Sequence, residues 1–390
     1  MIQNSPKWSR LVFLVAVMTI PNTVARSQVM VSGQASAAFA DAENGQTQFA
    51  LNGGRPTFLW RGDLFVDVLL ADDLAFLSNF RITQDQEIRI DLFALRFSDI
   101  ASTGISLQAG QVDIPVGNLG ERRFPWQNSF FRLPLTNEML TSLCSSDYLI
   151  WVLEPGFAMR GDGVRVLDQG LYDLGAKLYG NAGILDYSVA IINGMASATG
   201  TYGVGGLNSN SGLGLIGRLA ITPSSFFTLG VSYGTGSFMS DQSADSISFL
   251  FGKDPDDYPQ RIFGADLELE YGHFSFYGQA LYNVWTYEPD LKAFGYSAEA
   301  AYALTPRIAV AARAGGLLFS EVTNLSIPTA DGDVAYTGTW DRNTFRLETS
   351  VRIRITRDAL VKLVYEWNHT ATPPDDPHDN MLVAQGVFSF

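Results

Sequence analysis

"TFRLETSVRIRIT", residues 344–356, decides how the rest of the chain is read. Phe345, Leu347, Val351, Ile353 and Ile355 fall on one face of an extended strand, and Arg346, Glu348, Ser350, Arg352 and Arg354 on the other. Strict period-two alternation means a strand with one apolar and one wet face. The next stretch repeats it: Val361, Leu363, Tyr365 and Trp367 alternate with Lys362, Val364, Glu366 and Asn368. Earlier, Phe263, Ala265, Leu267, Leu269 and Tyr271 alternate with Gly264, Asp266, Glu268 and Glu270. Charges at every second position fit poorly in a dry sandwich core. They fit a closed sheet with water inside and lipid outside.

The chain start agrees with lipid. Lys7 and Arg10 precede the apolar run "LVFLVAVMTI", and "PNTVARS" follows with small residues at Thr23, Ala25 and Ser27. This pattern reads as an export signal over 1–27, cleaved after Ala25 or after Ser27. No later apolar run approaches the length of a membrane helix; the longest is "YLIWVL" at 148–153. The lone Cys144 can form no internal disulfide and reads as a small apolar residue. Segment 1–27 carries three basic and no acidic residues, so cleavage after Ser27 moves the net charge from −14 to −17. So acidic a chain has no general field for nucleic acid.

Sixteen strand candidates follow from alternation: 29–40, 56–70, 73–83, 87–98, 103–112, 170–180, 184–194, 212–222, 225–237, 259–271, 273–286, 292–304, 307–319, 341–356, 358–369 and 379–390. Connections are mostly short after even-numbered strands and long after odd-numbered ones: 41–55, 113–169, 195–211, 238–258, 320–340 and 370–378. Short turns on one side and long loops on the other describe an all-β, transmembrane antiparallel barrel of the bacterial outer membrane. Closure is what satisfies every backbone group in lipid. The final "LVAQGVFSF" places Phe388 and Phe390 on the lipid face near the periplasmic interface, where aromatics form a girdle. In strand 87–98 the phase reverses, with Leu95 and Phe97 set against Arg96, so a bulge is expected near Phe93.

A barrel of this size leaves an aqueous lumen. The connection 113–169 carries Phe124, Trp126, Phe130, Phe131, Trp151 and Phe157, too many large rings for a solvated tip, and is expected to fold inward as a constriction. "NEMLTSL" (137–143) is a candidate short helix inside it. Lumenal charge is mixed, but unevenly placed. Asp266, Glu268 and Glu270 load strand 259–271; Arg346, Arg352 and Arg354 load strand 341–356, with Lys362 beside them and Arg122 and Arg123 in the loop. Walls of opposite sign would set a transverse field favouring small polar solutes; internal ion pairing of the wall is the alternative. No catalytic Ser-His-Asp order or Cys/His metal spacing is visible. No cofactor is expected. "GLGLIG" (212–217) lies within a strand candidate and is not read as a dinucleotide site. The acidic clusters "DPDD" (254–257), "DGD" (331–333) and "DDPHD" (375–379) read as a solvated rim able to meet cations or lipopolysaccharide.

The stretches "LQAGQVDIPVGNLGERRFPWQNSFFRLPL" (107–135) and "GDGVRVLDQGLYDLGAKLYGNAGILDYSVAIINGMAS" (161–197) resemble the phosphate-selective porin O and P-like family. The resemblance covers roughly residues 56–200 and implies a passive, trimeric diffusion channel. Separately, the terminal Phe388 and Phe390 resemble the recognition signal that outer-membrane barrels present to the barrel assembly machinery. The family's phosphate preference rests on a ladder of Lys and Arg along the pore. This chain has only Lys7, Lys177, Lys253, Lys292 and Lys362, so that preference is not expected to transfer. A porin is therefore expected rather than an enzyme. The contrasting expectation is an outer-membrane hydrolase using His369 or His378 at the external rim.

Overall fold

A computed structural model describes residues 28–43, 55–84, 88–143, 163–167, 171–196, 212–239, 248, 252–287, 289–327, 334–371 and 379–390. Segment 1–27, Cys144, Trp151, Phe157, His378 and the "DGD" stretch lie outside the described residues.

The strands are β1 (Gln28–Ala42), β2 (Thr57–Ala71), β3 (Leu74–Thr83), β4 (Ile88–Phe97), β5 (Ile105–Asp113), β6 (Tyr172–Ala182), β7 (Leu185–Ile192), β8 (Gly214–Ser224) and β9 (Phe227–Ser237). They continue as β10 (Pro259–Tyr271), β11 (Phe274–Trp285), β12 (Leu291–Ala303), β13 (Ile308–Phe319), β14 (Glu321–Ile327), β15 (Val334–Thr339), β16 (Thr344–Arg354), β17 (Ala359–Thr370) and β18 (Met381–Ser389). Sixteen of them form one closed antiparallel barrel, each paired to its neighbour, with β1 sealing against β18. Observed bounds agree with the expected ones to within two residues at every end but one, where 341 becomes Thr344. The remaining two, β14 and β15, form a separate hairpin within the connection 320–340, where alternation predicts only a loop. Among the described residues no helix is long and apolar enough to cross a membrane.

Alternation does what the sequence implied. Leu347, Leu363, Tyr365, Trp367 and Phe263 are exposed on the outside, whereas Arg346, Glu348, Lys362 and Glu366 are buried within. Exposed rings cluster at two heights, as in a lipid-facing barrel. Phe226, Tyr271, Phe274, Tyr302, Phe388 and Phe390 lie at the short-turn end, and Tyr233, Phe263, Tyr282, Phe294 and Trp367 nearer the long loops. The expected phase reversal is present, two residues earlier than Phe93. Asn79 pairs with Leu92 while Phe80 pairs with Ile90, leaving Asp91 as the extra residue of β4. Opposite the bend, Gly110 has φ +126°, and a Cβ there would stand 2.3 Å from the Phe93 carbonyl oxygen. Only glycine allows β5 to pair that closely.

The lumen is not uniformly wet. Its long-loop half is filled by an apolar cluster joining wall residues Leu281, Trp285, Leu291, Leu317 and Phe319 to loop residues Ile114, Leu135, Met139, Leu143 and Val166. Trp340 closes it, 4.9 Å from the Phe319 ring and 5.5 Å from Trp285, with its indole N–H donated to the Lys292 carbonyl. The cavities of the interior lie in the other half, toward the short turns.

Candidate functional site: the inward loop and the cavity beneath it

The described part of the connection 113–169 runs through the barrel. Irregular backbone inside a closed sheet has no ladder to bond to, so its polar groups need partners from the wall. On the β9–β11 side, the Gly117 N–H donates to Ser232 Oγ at 3.2 Å. Asn118 Nδ2 donates to the carbonyls of Leu267 (3.0 Å) and Gly278 (3.3 Å). Eight residues later the chain has reached the opposite side, where the Trp126 N–H donates to Gln34 Oε1 of β1 at 2.8 Å. There Lys362 of β17, fully buried, donates to three loop carbonyls: Pro125 (2.9 Å), Asn128 (3.1 Å) and Phe130 (3.1 Å). Farther on, Arg313 of β13 donates to the Arg132 carbonyl at 2.7 Å and covers the Phe130 ring at 4.4 Å. A single helical turn, α1 (Leu135–Glu138), follows, slightly ahead of the expected 137–143. It rests on β12 and β13, with Thr136 filling the space above Gly295.

Four of the nine charges expected to line the pore are consumed in fixing this loop or in pairing within the wall. Arg346 bonds Glu138 Oε2 at 3.0 Å and Asn368 Oδ1 at 2.8 Å beneath the loop. Asp266 is held by Arg218 through two bonds of 2.5 and 3.0 Å. Lys362 is the loop anchor just described. Arg123 lies over the Tyr172 ring at 4.2 Å and donates to its hydroxyl. Arg354 is exposed at the last residue of β16, at the barrel end. Arg61, Asp63, Arg81 and Asp91 form a further linked group on β2–β4. The alternation identified which side chains point inward. It could not identify what stands opposite them, because Lys362 and its acceptors lie more than 230 residues apart.

Four of the expected residues do meet. Below the loop, at the short-turn end, is a cavity of ≈ 620 Å³ lined by Glu268 and Glu270 of β10, Arg352 of β16 and Arg122 of the loop. Trp126, Tyr277, His273, Glu121 and Glu299 also border it. Arg122 stacks on Tyr277 at 3.8 Å and pairs with Glu299 at 3.4 Å, so its charge is largely committed. Tyr277 donates its hydroxyl to Glu270. Glu268 and Arg352 form no ion pair with another described residue; the Arg352 guanidinium lies 5.9 Å from the Trp126 ring centre. A second cavity of ≈ 470 Å³ is lined by Lys177, Tyr179, Asp186 and Arg218 on β6–β8. Tyr277 was the contribution that strand phase alone did not single out as a site. Its signal was an aromatic at an inward position on β11, between the two charged rows.

His369 lies in line with Phe345 and Trp367, its ring 6.3 and 5.9 Å from theirs, and Trp367 is exposed on the outer face. Among the described residues no group of His, Cys, Asp and Glu is arranged to hold a metal ion. In the "DPDD" stretch, Asp254 and Asp257 are spent capping their own 3₁₀ turn.

No family model matches the chain, and no curated protein matches it in sequence. Solved structures do share its fold. An anion-selective porin from Comamonas acidovorans is 9% identical with a TM-score of 0.60, covering 94% of this chain and 100% of that one. A loop-deletion form of OmpT, an outer membrane protein of Vibrio cholerae, is 11% identical with a TM-score of 0.57, covering 93% and 99%. Salmonella typhi OmpF in complex with daunomycin is 11% identical with a TM-score of 0.56, covering 93% and 97%. At such identities the likeness is one of fold: an outer-membrane β-barrel.

Proposed function

We propose that the chain is a porin: a passive channel for small polar solutes and ions in a bacterial outer membrane, exported by a signal within 1–27. The observation that carries this is a polar cavity of ≈ 620 Å³ inside a closed sixteen-stranded barrel, bordered by charges of both signs. The two exposed aromatic belts support lipid on the outside. The phrases at 107–135 and 161–197 support a place near the phosphate-selective porin O and P-like family, without its phosphate ladder. A homotrimer, contact of the outer rim with lipopolysaccharide, and recognition of Phe388 and Phe390 by the barrel assembly machinery belong to the same reading. The hydrolase reading is not favoured, since His369 sits among outward-facing rings.

In this channel a solute meets the carboxylates of Glu268 and Glu270 on one wall and the guanidinium of Arg352 on the other. The dry layer above makes the passage narrow. Reconstitution into planar lipid bilayers tests the proposal. Discrete conductance steps are expected, smaller than those of an unobstructed barrel of equal strand number. Folded protein that inserts and never conducts would refute it.

A further inference from the structure

We infer that the cavity at the short-turn end is a binding site for a small solute carrying excess positive charge and one carboxylate, a basic amino acid or short basic peptide. This deepens the channel reading and rests on it only for how the solute arrives. The cavity border holds four carboxylates, of Glu121, Glu268, Glu270 and Glu299, against the two guanidiniums of Arg122 and Arg352. The excess is negative, so a cationic guest is favoured over an anionic one.

The arrangement selects further. Glu268 and Glu270 are two residues apart on one face of β10, so their carboxylates lie about 7 Å apart along the strand. At that spacing the two carboxylates flank one side-chain ammonium, which leaves the carboxylate end of an extended basic amino acid to reach toward Arg352. Arg352 stands across β11, β12 and β13, four strand spacings away, or roughly 19 Å along the wall before the side chains reach inward. Between them the wall carries Tyr277, Glu299, which Arg122 and Arg313 already pair, and the small Ala301, Ala309 and Ala311, which leave room for an aliphatic stem, with Trp126 also at the border. Glu268 and Arg352 have no ion-pair partner among the described residues, unlike Asp266 or Arg346. A charge that faces water and is not neutralised by its own wall remains available to a guest. The volume of ≈ 620 Å³ accommodates such a molecule with its remaining water.

Calorimetric titration of detergent-solubilised, folded protein with lysine, cadaverine and glutamate tests the site whether or not the barrel conducts. Lysine is expected to bind and glutamate not. Glu268→Gln with Glu270→Gln should weaken lysine binding by about tenfold or more, as expected for lost charge-assisted bonds. Arg352→Gln should weaken lysine but leave cadaverine, which lacks the carboxylate, unchanged. Equal binding of lysine and glutamate, or cadaverine binding as sensitive to Arg352→Gln as lysine, overturns the inference. The wild-type comparison of the three solutes needs no variant to fold. Bilayer recordings separate the two ideas: a conducting channel indifferent to lysine removes the site and keeps the porin, while lysine binding without conductance does the reverse.

Discussion

Replacing Lys362 by Met keeps the length of the side chain and removes its charge. In the folded protein the ammonium is fully buried and satisfies three carbonyls of the inward loop, those of Pro125, Asn128 and Phe130. Each buried acceptor left without a donor costs about 1–3 kcal/mol. Against this stands the burial penalty of the ammonium, several kcal/mol, which the variant no longer bears. A net loss of about 3 kcal/mol from docking of segment 125–130 follows, a shift of somewhat over 100-fold in the docked-to-released ratio. The rest of the loop stays, since Arg313 and Arg346 hold the Arg132 carbonyl and Glu138. Amide hydrogen exchange reads the effect directly. The Trp126 and Phe130 N–H groups bond to Gln34 and Asn128 and should lose protection by about that factor, while strand amides keep theirs. Single-channel current should become noisier. Unchanged protection at Trp126 and Phe130 in a folded Lys362→Met barrel would refute the anchoring argument.

Converting Glu268 and Glu270 to Lys should move the bilayer reversal potential in a salt gradient toward anions, and Arg352→Glu toward cations. The same measurement on the double variant Asp266→Asn with Arg218→Gln should show little change, because the two charges already neutralise each other. Gly33→Val should sharply lower the yield of heat-modifiable barrel, since a Cβ there would stand 2.6 Å from the Phe390 ring and 2.8 Å from the Asp63 carbonyl oxygen. Burial raises the Asp341 carboxyl from 3.8 to about 6, in a connection outside the spanning strands, where it accepts the Ser142 N–H at 2.7 Å. The folded state therefore holds this proton more tightly than the unfolded one. Its contribution is greatest below pH of about 4 and declines as pH rises to about 6, and Asp341→Asn should flatten thermal stability across that window.

Strand phase made the barrel legible, because lipid outside and polar groups inside impose a two-residue period that 344–356 and 361–367 display without interruption. It even exposed the bend in β4, since one extra residue, Asp91, flips every later side chain. The dry half of the lumen was less visible. Leu281, Trp285 and Leu317 occupy inward positions in runs that are apolar on both faces, such as "GGLLF" at 315–319, and such runs carry no period. The hairpin β14–β15 was hidden for a different reason: it pairs with itself in a long connection and leaves the strand rhythm around it intact. Of the site, Glu268, Glu270, Arg122 and Arg352 were recognisable as inward charges facing one space. The fates of Asp266, Arg346 and Lys362 were not, because each depends on a partner distant in sequence.

The seam of the barrel is braced from within. β1 and β18 meet across nearly the whole length of the chain, with the Gly33 and Phe390 backbones exchanging both bonds at 3.0 Å. The loop is gripped from these two strands and from β17: Gln34 of β1 bonds Trp126, Lys362 and Glu366 of β17 hold 125–132, and Phe130 packs with Val364, Met381 and Val383. Segment 118–138 therefore ties the first strand to the last two from inside the barrel, in addition to the backbone bonds of the seam. The obstruction in the channel is at the same time a brace across the joint where the sheet closes on itself.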